Sequence, residues 1–238
     1  MSLTCVSAYF PVKGKHGNDA YLYWFKNTLS INLPYVFFTN KETIEVIKSF
    51  RKDLPTHFIE CELEDFYTYK YKDRMVSHSY HCPSVEVNLI WNEKIIMVQK
   101  ASELNPFNTE WFKWIDAGIS VLRDITTFKL NEKLLQTLPT DKFIFSWSDS
   151  HDYYENAVRK DNYYHHIAGT SHILHKNFVN TFTEIYKLYL ENLVDKNNIW
   201  TDQVLLTHIY KDYPDLFFRL GEGYGMGYGK LSLMLLTD

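Results

Sequence analysis

Cysteine, glycine and proline are all scarce in this chain. Three cysteines occur in 238 residues, Cys5, Cys61 and Cys82, and no two stand at a Cys-x-x-Cys spacing. An odd number without that spacing argues against a disulfide framework or a structural zinc site, and favours a reducing compartment. No stretch is rich enough in Pro, Gly or Ser to act as a linker, so one domain is expected over residues 1–238. No apolar run approaches the roughly 20 residues of a membrane span. The start, Met1 to Ser7, lacks the basic and apolar segments of a secretory signal. Net charge is −4 without a block of like charges, which leaves no basic face for nucleic acid. These absences together predict a soluble, cytoplasmic protein with no transmembrane segment and no nucleic-acid partner.

What the chain has in quantity is aromatic side chains, 17% of residues within a hydrophobic total of 45%, ample for a packed core. Thr4 to Phe10 reads as a buried strand, Pro11 to Asp19 as a loop, and Leu22, Phe25 and Leu29 recur at helical spacing. Tyr35 to Phe38 gives a second strand. Thr39 followed by Glu42 matches a capping box for a helix to about Arg51, and His57 to Leu63 gives a third strand. This alternation predicts an α/β fold with a mostly parallel central sheet flanked by helices. A long helix is expected from Ser84 to Leu104, closed by Asn105-Pro106, with Lys94 on a stripe shared by Ile90, Met97, Ala101 and Leu104. Further strands are expected at Trp111 to Asp116, Lys142 to Trp147 and His166 to Leu174. Helices follow through Phe178, Phe182, Ile185, Tyr189 and Leu193, and from Thr201.

Residues 110–119 are the most informative. A run of aromatic and branched side chains ends at Asp116, followed by Ala117 and Gly118. In open α/β sheets ligands sit beyond the carboxyl ends of strands, where a carboxylate can accept from a ribose or hold a divalent metal. Small neighbours let a ligand come close to the backbone. The alternative is a turn-capping Asp. Lys94, amid apolar neighbours, either reaches solvent or pairs with an anion. Asp202 and Gln203 open a helix, where the macrodipole alone favours an acid, or face a polar substrate.

Gly221, Gly223, Gly225, Gly227 and Gly229 alternate, five of only nine glycines. They form a mobile lid that presents amides to phosphate, or a flexible end. The spacing matches neither the dinucleotide fingerprint nor the P-loop. His78, His81 and Cys82 form one cluster and His165, His166, His172 and His175 another. In an extended strand His172 and His175 face opposite ways, which speaks against a shared metal. Asp149, His151 and Asp152 line a cleft or make a polar turn. No Gly-x-Ser-x-Gly elbow is present.

Several segments resemble the HtrL/YibB (WlaTC-like) family of bacterial proteins, often encoded beside surface-polysaccharide genes. They are Val6-Ser7-Ala8-Tyr9-Phe10, Val36-Phe37-Phe38-Thr39, Ile90-Trp91-Asn92-Glu93-Lys94, Asn105-Pro106-Phe107 and Phe112-Lys113-Trp114-Ile115-Asp116-Ala117-Gly118-Ile119. The similarity runs from about Thr4 to Arg219. The layout looks like a GT-A glycosyltransferase. That resemblance implies a nucleotide-sugar-binding half (1–120), an acceptor half (121–220) and a glycine-rich tail (221–238).

GT-A enzymes usually carry Asp-x-Asp at the end of the central strand. Here Asp116, Ala117 and Gly118 stand in those positions and the second carboxylate is absent, so Mn2+ or Mg2+ at Asp116 and metal independence both stay open. Asp202-Gln203 resembles the Asp-Gln of several retaining GT-A families, and no His follows His208. The implied activity is transfer of a sugar from a nucleotide-sugar donor to a glycan acceptor. Asp202 and Gln203 would be catalytic, and Asp116, Ala117, Gly118, Lys94 and Thr39 would bind the donor. The competing expectations are a non-catalytic nucleotide- or sugar-binding protein on a degenerate GT-A scaffold, and a metal-dependent hydrolase using the histidines.

Overall fold

The computed structural model describes residues 2–14, 16–77, 82–119, 129–148, 166–196, 199–221 and 230–236. Strands and helices alternate from the start: β1 (Leu3–Tyr9), α1 (Asn18–Thr28), β2 (Tyr35–Thr39), α2 (Lys41–Arg51) and β3 (Thr56–Glu60). Two 3-10 segments, Leu63–Asp65 and Tyr67–Arg74, fill the tyrosine-rich stretch before the long helix α3 (Val85–Leu104) and β4 (Trp111–Ile115). Then come α4 (Glu132–Thr137), β5 (Phe143–Ser146), β6 (Ser171–His175), α5 (Lys176–Leu193), α6 (Asp202–Asp212), β7 (Phe217–Gly221) and α7 (Lys230–Leu236). Of the expected candidates, His78, His81, Asp149, His151, Asp152, His165 and Gly223 to Gly229 lie outside the described residues.

All seven strands join one sheet in the order β3-β2-β1-β4-β6-β5-β7. β6 runs antiparallel to β4 and β5, and the other pairings are parallel. Helices cover both faces, which explains why β2, β4, β5 and β6 are buried along their whole length. Strand alternation sends Val6, Phe112 and Trp114 into one core with α3, α5 and α6. Leu3, Cys5, Trp111 and Ile115 go into the other core, with α1, α2, α4 and α7. The chain leaves β1 toward β2 on one side and returns from α3 to β4 on the other. The crevice between the carboxyl ends of β1 and β4 is therefore the topological switch point of the sheet, where α/β folds bind ligands.

The structure departs from expectation in several places. The N-cap of α2 is Asn40, whose side chain accepts from the Thr43 amide. Thr39 is the last residue of β2, and its hydroxyl donates to the Tyr9 carbonyl at 2.7 Å, so it is a strand residue and not a cap. The sixth strand is shorter than expected, because Gly169 and Thr170 turn, and Ile167 before them makes only an isolated antiparallel bridge to Trp147. The final residues of the glycine-rich tail form α7, whose Leu231, Leu235 and Leu236 are fully buried. The stripe along α3 is also narrower than the burial, for α3 is enclosed on nearly every side while Leu104 at its end is 58% exposed.

Candidate active site

Helix α3 carries polar side chains into the core, and each has a partner. Asn88 donates to the carbonyls of Val76 (2.7 Å) and Ile199 (2.8 Å). Asn92 donates to the Asn88 side chain and accepts from the Tyr186 hydroxyl at 2.9 Å. Glu93 accepts from the backbone amides of Tyr67 and Thr68, capping the second 3-10 segment. Burial raises the Glu93 carboxyl above its ordinary value, and those amides oppose the rise. These bonds fix the rotation and height of α3, and with them the place where Lys94 delivers its ammonium.

Lys94 Nζ lies 3.1 Å from Asp116 Oδ1 and 3.4 Å from Asp202 Oδ2, and donates to the Gly169 carbonyl at 2.9 Å. Burial pushes Lys94 down, but the Asp116 and Asp202 carboxylates outweigh it, so it ends above its ordinary value and stays charged. For Asp202 burial prevails over Lys94 and the carboxyl is raised. The Trp114 indole, two residues before Asp116 and on the same side of the extended chain, donates to Asp116 Oδ1 at 2.7 Å. Its ring lies under the ammonium, 5.6 Å from centroid to Nζ.

Asp116 itself opens a tight turn, with the Ile119 amide donating to its carbonyl at 3.0 Å. The Thr28 hydroxyl donates to the Ala117 carbonyl. At Gly118 a β-carbon would meet the Tyr21 ring at 2.9 Å and Trp24 at 3.1 Å, so the missing side chain admits α1 against the turn. Tyr21 occupies the space a side chain would take, while Gly118 itself still lines the cavity at the switch point.

A cavity of about 410 Å³ opens at this switch point, a size typical of small-molecule sites. Asp116, Ala117, Gly118 and Lys94 line it, together with Tyr9, Phe10, His16, Asn18, Tyr21, Ile90, Trp91, Trp114 and Thr170. The Asp116 side chain is 28% exposed, against 4% for Lys94 and 3% for Asp202. Asp202 thus stands behind the ammonium and not on the cavity wall. Gln203 Nε2 donates to the Ile167 carbonyl at 2.6 Å, and neither it nor Thr39 lines the cavity. Sequence reasoning missed the wall from β1 and α1; the available signal was that the loop with Gly14 and Gly17 follows the carboxyl end of the first strand.

The histidines have other employment. His172 is fully buried between the rings of Trp114 and Phe143, and burial holds it well below the usual imidazole range, so it is neutral. His175 faces Trp111 on the opposite side of β6 and accepts from the Asn177 amide as the cap of α5. Among the described residues no three His, Cys, Asp or Glu side chains gather to hold a metal. Mg2+ wants about six oxygens at about 2.0–2.1 Å. Asp116 Oδ1 already receives Trp114 and Lys94, and Ala117 and Gly118 bring no second carboxylate. The described residues do not fit a divalent ion held by the protein at this place.

Comparison with solved structures identifies the fold as GT-A-like. The galactosyltransferase LgtC, solved with donor and acceptor sugar analogs, superimposes with a TM-score of 0.51 at 11% identity, over 87% of this chain and 70% of that one. A glycosyltransferase involved in glycosylation of the major capsid of PBCV-1 gives 0.44 at 16% identity, over 94% and 82%. A cytidylyltransferase from Leptospira borgpetersenii serovar Hardjo-bovis gives 0.46 at 8% identity, over 94% and 76%. No curated protein matches the chain. A family model does, from residue 58 in β3 to residue 228, a span that holds α3, Asp116 and Asp202 but not β1 and β2. The chain belongs to the HtrL_YibB family, described as bacterial proteins of unknown function.

Proposed function

We propose that the protein is a glycosyltransferase that moves a sugar from a nucleotide-sugar donor to a glycan acceptor, such as a surface polysaccharide. The observation that carries this is the cavity at the β1/β4 switch point, with aromatic walls and one part-exposed carboxylate, Asp116, at the end of the central strand. Aromatic faces suit a base or a pyranose, and a carboxylate suits vicinal hydroxyls, so the donor's nucleoside is assigned to Tyr9, Tyr21, Trp91 and Asp116. Transfer displaces the nucleoside diphosphate from the anomeric carbon through an oxocarbenium-like transition state, in which negative charge grows on the diphosphate. Asp202 and Gln203 act as positioning residues: the first through Lys94, the second through the Ile167 carbonyl beside the Gly169 turn. A cytoplasmic site of action is consistent with three cysteines that form no disulfide. No helix among the described residues is long and apolar enough to cross a membrane.

One observation favours the second reading, a non-catalytic nucleotide or sugar binder. Asp116 is the one described carboxylate on the cavity wall, and it is tied to Lys94 and Trp114. A thermal-shift screen of nucleoside diphosphates and nucleotide-sugars, followed by mass-spectrometric assay of transfer to glycan acceptors, separates the two. A ligand at one hundred times its dissociation constant adds about 2.7 kcal/mol of stability. Binding without transfer or donor hydrolysis supports the binder; no binding by any nucleotide or nucleotide-sugar removes the transferase and the nucleotide-binding form of the second reading.

A further inference from the structure

Three oxygens from three different elements converge on a single point in this site. They are the Gly169 carbonyl, Asp116 Oδ1 and Asp202 Oδ2, and the point is occupied by Lys94 Nζ at 2.9, 3.1 and 3.4 Å. An ammonium has three donors and no acceptor; here it donates to the Gly169 carbonyl and stands at ion-pair distance from both carboxylates. The separations are those of hydrogen bonds and ion pairs. They exceed the about 2.0–2.1 Å of Mg2+ and the about 2.3–2.6 Å of Ca2+, so the cage has the dimensions of an ammonium. The cage is largely buried: Lys94 and Asp202 are almost fully buried, the Trp114 ring and indole N–H cover it from β4, and Asp116 faces the cavity. Asn88, Asn92 and Glu93, which precede the lysine on α3, tie the helix to Ile199, Tyr186 and the second 3-10 segment and so hold the lysine's backbone in place.

We infer that the Lys94 ammonium is the resident cation of this site, standing between Asp116 and Asp202 where a divalent ion would have to stand, so that a ligand in the cleft meets Asp116 with no divalent metal between them. The ligand part of this inference rests on the proposed function; the cation part rests on the geometry alone. It turns the missing second carboxylate at Gly118 from a defect into a consequence. A site that carries its own cation on a helix has no use for a second metal-binding acid on the strand.

The test is a titration of chelator-stripped protein with Mn2+, read by electron paramagnetic resonance, on wild type, Lys94→Ala, Asp116→Asn and the double variant Lys94→Ala/Asp116→Asn. The expected result is no bound Mn2+ in wild type, one equivalent in Lys94→Ala, and loss of that equivalent in the double variant. Uptake of one Mn2+ by wild type that disappears in Asp116→Asn overturns the inference, as does a folded Lys94→Ala that binds none. Should Lys94→Ala not fold, the wild-type and Asp116→Asn titrations decide the matter alone: Asp116-dependent uptake overturns the inference and no uptake upholds it. A parallel melting series with UDP and GDP, in EDTA and in Mn2+, separates this from the functional proposal. Shifts of equal size in both media support the metal-free cleft, and shifts that require Mn2+ overturn it. No shift in either medium with any nucleotide of the full screen removes the transferase proposal and leaves the cation assignment standing on the Mn2+ titration.

Discussion

The Asp202 carboxylate lies against the α-carbon of Gly169: a β-carbon there would stand 2.7 Å from Oδ2 and 2.9 Å from Oδ1. Asp202 cannot retreat, since Thr201 donates to its Oδ1 at 2.8 Å and Lys94 holds its Oδ2. Gly169→Ala is therefore expected to displace the carboxylate and destabilise the protein by about 1–3 kcal/mol, the range for overpacking a closed interior. Urea denaturation measures this. In an Asp202→Ala background the same substitution should lose part of its effect, because the carboxylate clash is gone while Gln203 Cγ, 2.9 Å from the same β-carbon, remains. An unchanged midpoint for Gly169→Ala in the native background would remove the contact from the account.

Lys94 separates two acids. Lys94→Met keeps the length of the side chain but leaves Asp116 and Asp202 facing one another without a cation. Breaking a buried pair by removing one partner destabilises by about 3–5 kcal/mol. Lys94→Met/Asp202→Asn, which also removes a negative charge, should recover part of that loss in the same denaturation experiment. Additive losses in the double variant would contradict the pairing.

Lys113 offers a pH readout on the other face of the sheet. It is fully buried on β4, donates to the hydroxyls of Ser171 and Ser232, and burial lowers it from 10.5 to about 7, with the Cys5 thiol opposing. In the unfolded chain the lysine keeps its proton up to about 10.5, whereas in the folded chain it gives it up above about 7. Between those values the unfolded state binds more protons, so this group makes stability rise with pH, by up to about 1.4 kcal/mol per unit. Below about pH 7 both states are protonated and the slope vanishes. Lys113→Met should flatten the rise between pH 7.5 and 9.5, roughly the interior of that window, with little loss at neutral pH because Ser232 also donates to Ser171 at 3.0 Å. A variant whose pH profile parallels that of wild type would assign the slope elsewhere.

Much of this site was legible in the sequence, for reasons particular to each residue. Asp116 stood out because a buried aromatic strand ends on an acid, and Lys94 because it interrupts an apolar helix stripe. Asn88, Asn92 and Glu93 interrupt the same helix, yet their partners, Val76, Ile199, Tyr67 and Thr68, sit on remote segments that no local pattern connects to them. Asp202 was expected to face a substrate from its place beside Gln203 at a helix start and from the resemblance to the Asp-Gln of retaining GT-A families; here the Gly169 turn and Lys94 cover it. The direction of β6 could not be read, because alternation along a strand is the same whichever way the strand runs. The edge strand β7 and helix α7 were missed beside a glycine-rich run that reads as a tail.

That last omission has a thermodynamic consequence. Leu231, Leu235 and Leu236 of α7 are fully buried, and the backbone amides of Lys129 and Asn131 donate to the carbonyls of Leu236 and Leu235. Leu231→Ala and Leu235→Ala are each expected to destabilise by about 2–5 kcal/mol. Truncation after Arg219 should remove the whole helix and lower the melting temperature further, even though it leaves the cavity's lining residues in the chain. A truncated protein that melts with the full-length chain would show that α7 adds nothing to the core.

The cavity wall gives the most direct check on ligand chemistry. Trp91 precedes Lys94 by three residues on α3, so both side chains lie on one face of the helix and line the same cavity. If the aromatic wall stacks on a nucleoside, Trp91→Ala should weaken nucleotide binding by about 1–3 kcal/mol, the scale of base–aromatic stacking. Asp116→Asn should also weaken it, by removing the charge that strengthens a hydrogen bond to a hydroxyl. Tyr23→Ala is the control. Tyr23 sits on α1 close to the wall residue Tyr21, but is 62% exposed and does not line the cavity, so affinity should not change. Isothermal titration with the nucleotide giving the largest melting shift reads all three. Equal affinities for wild type, Trp91→Ala and Asp116→Asn would mean that the nucleotide binds somewhere other than the β1/β4 crevice, and the assignment of this cavity would fall.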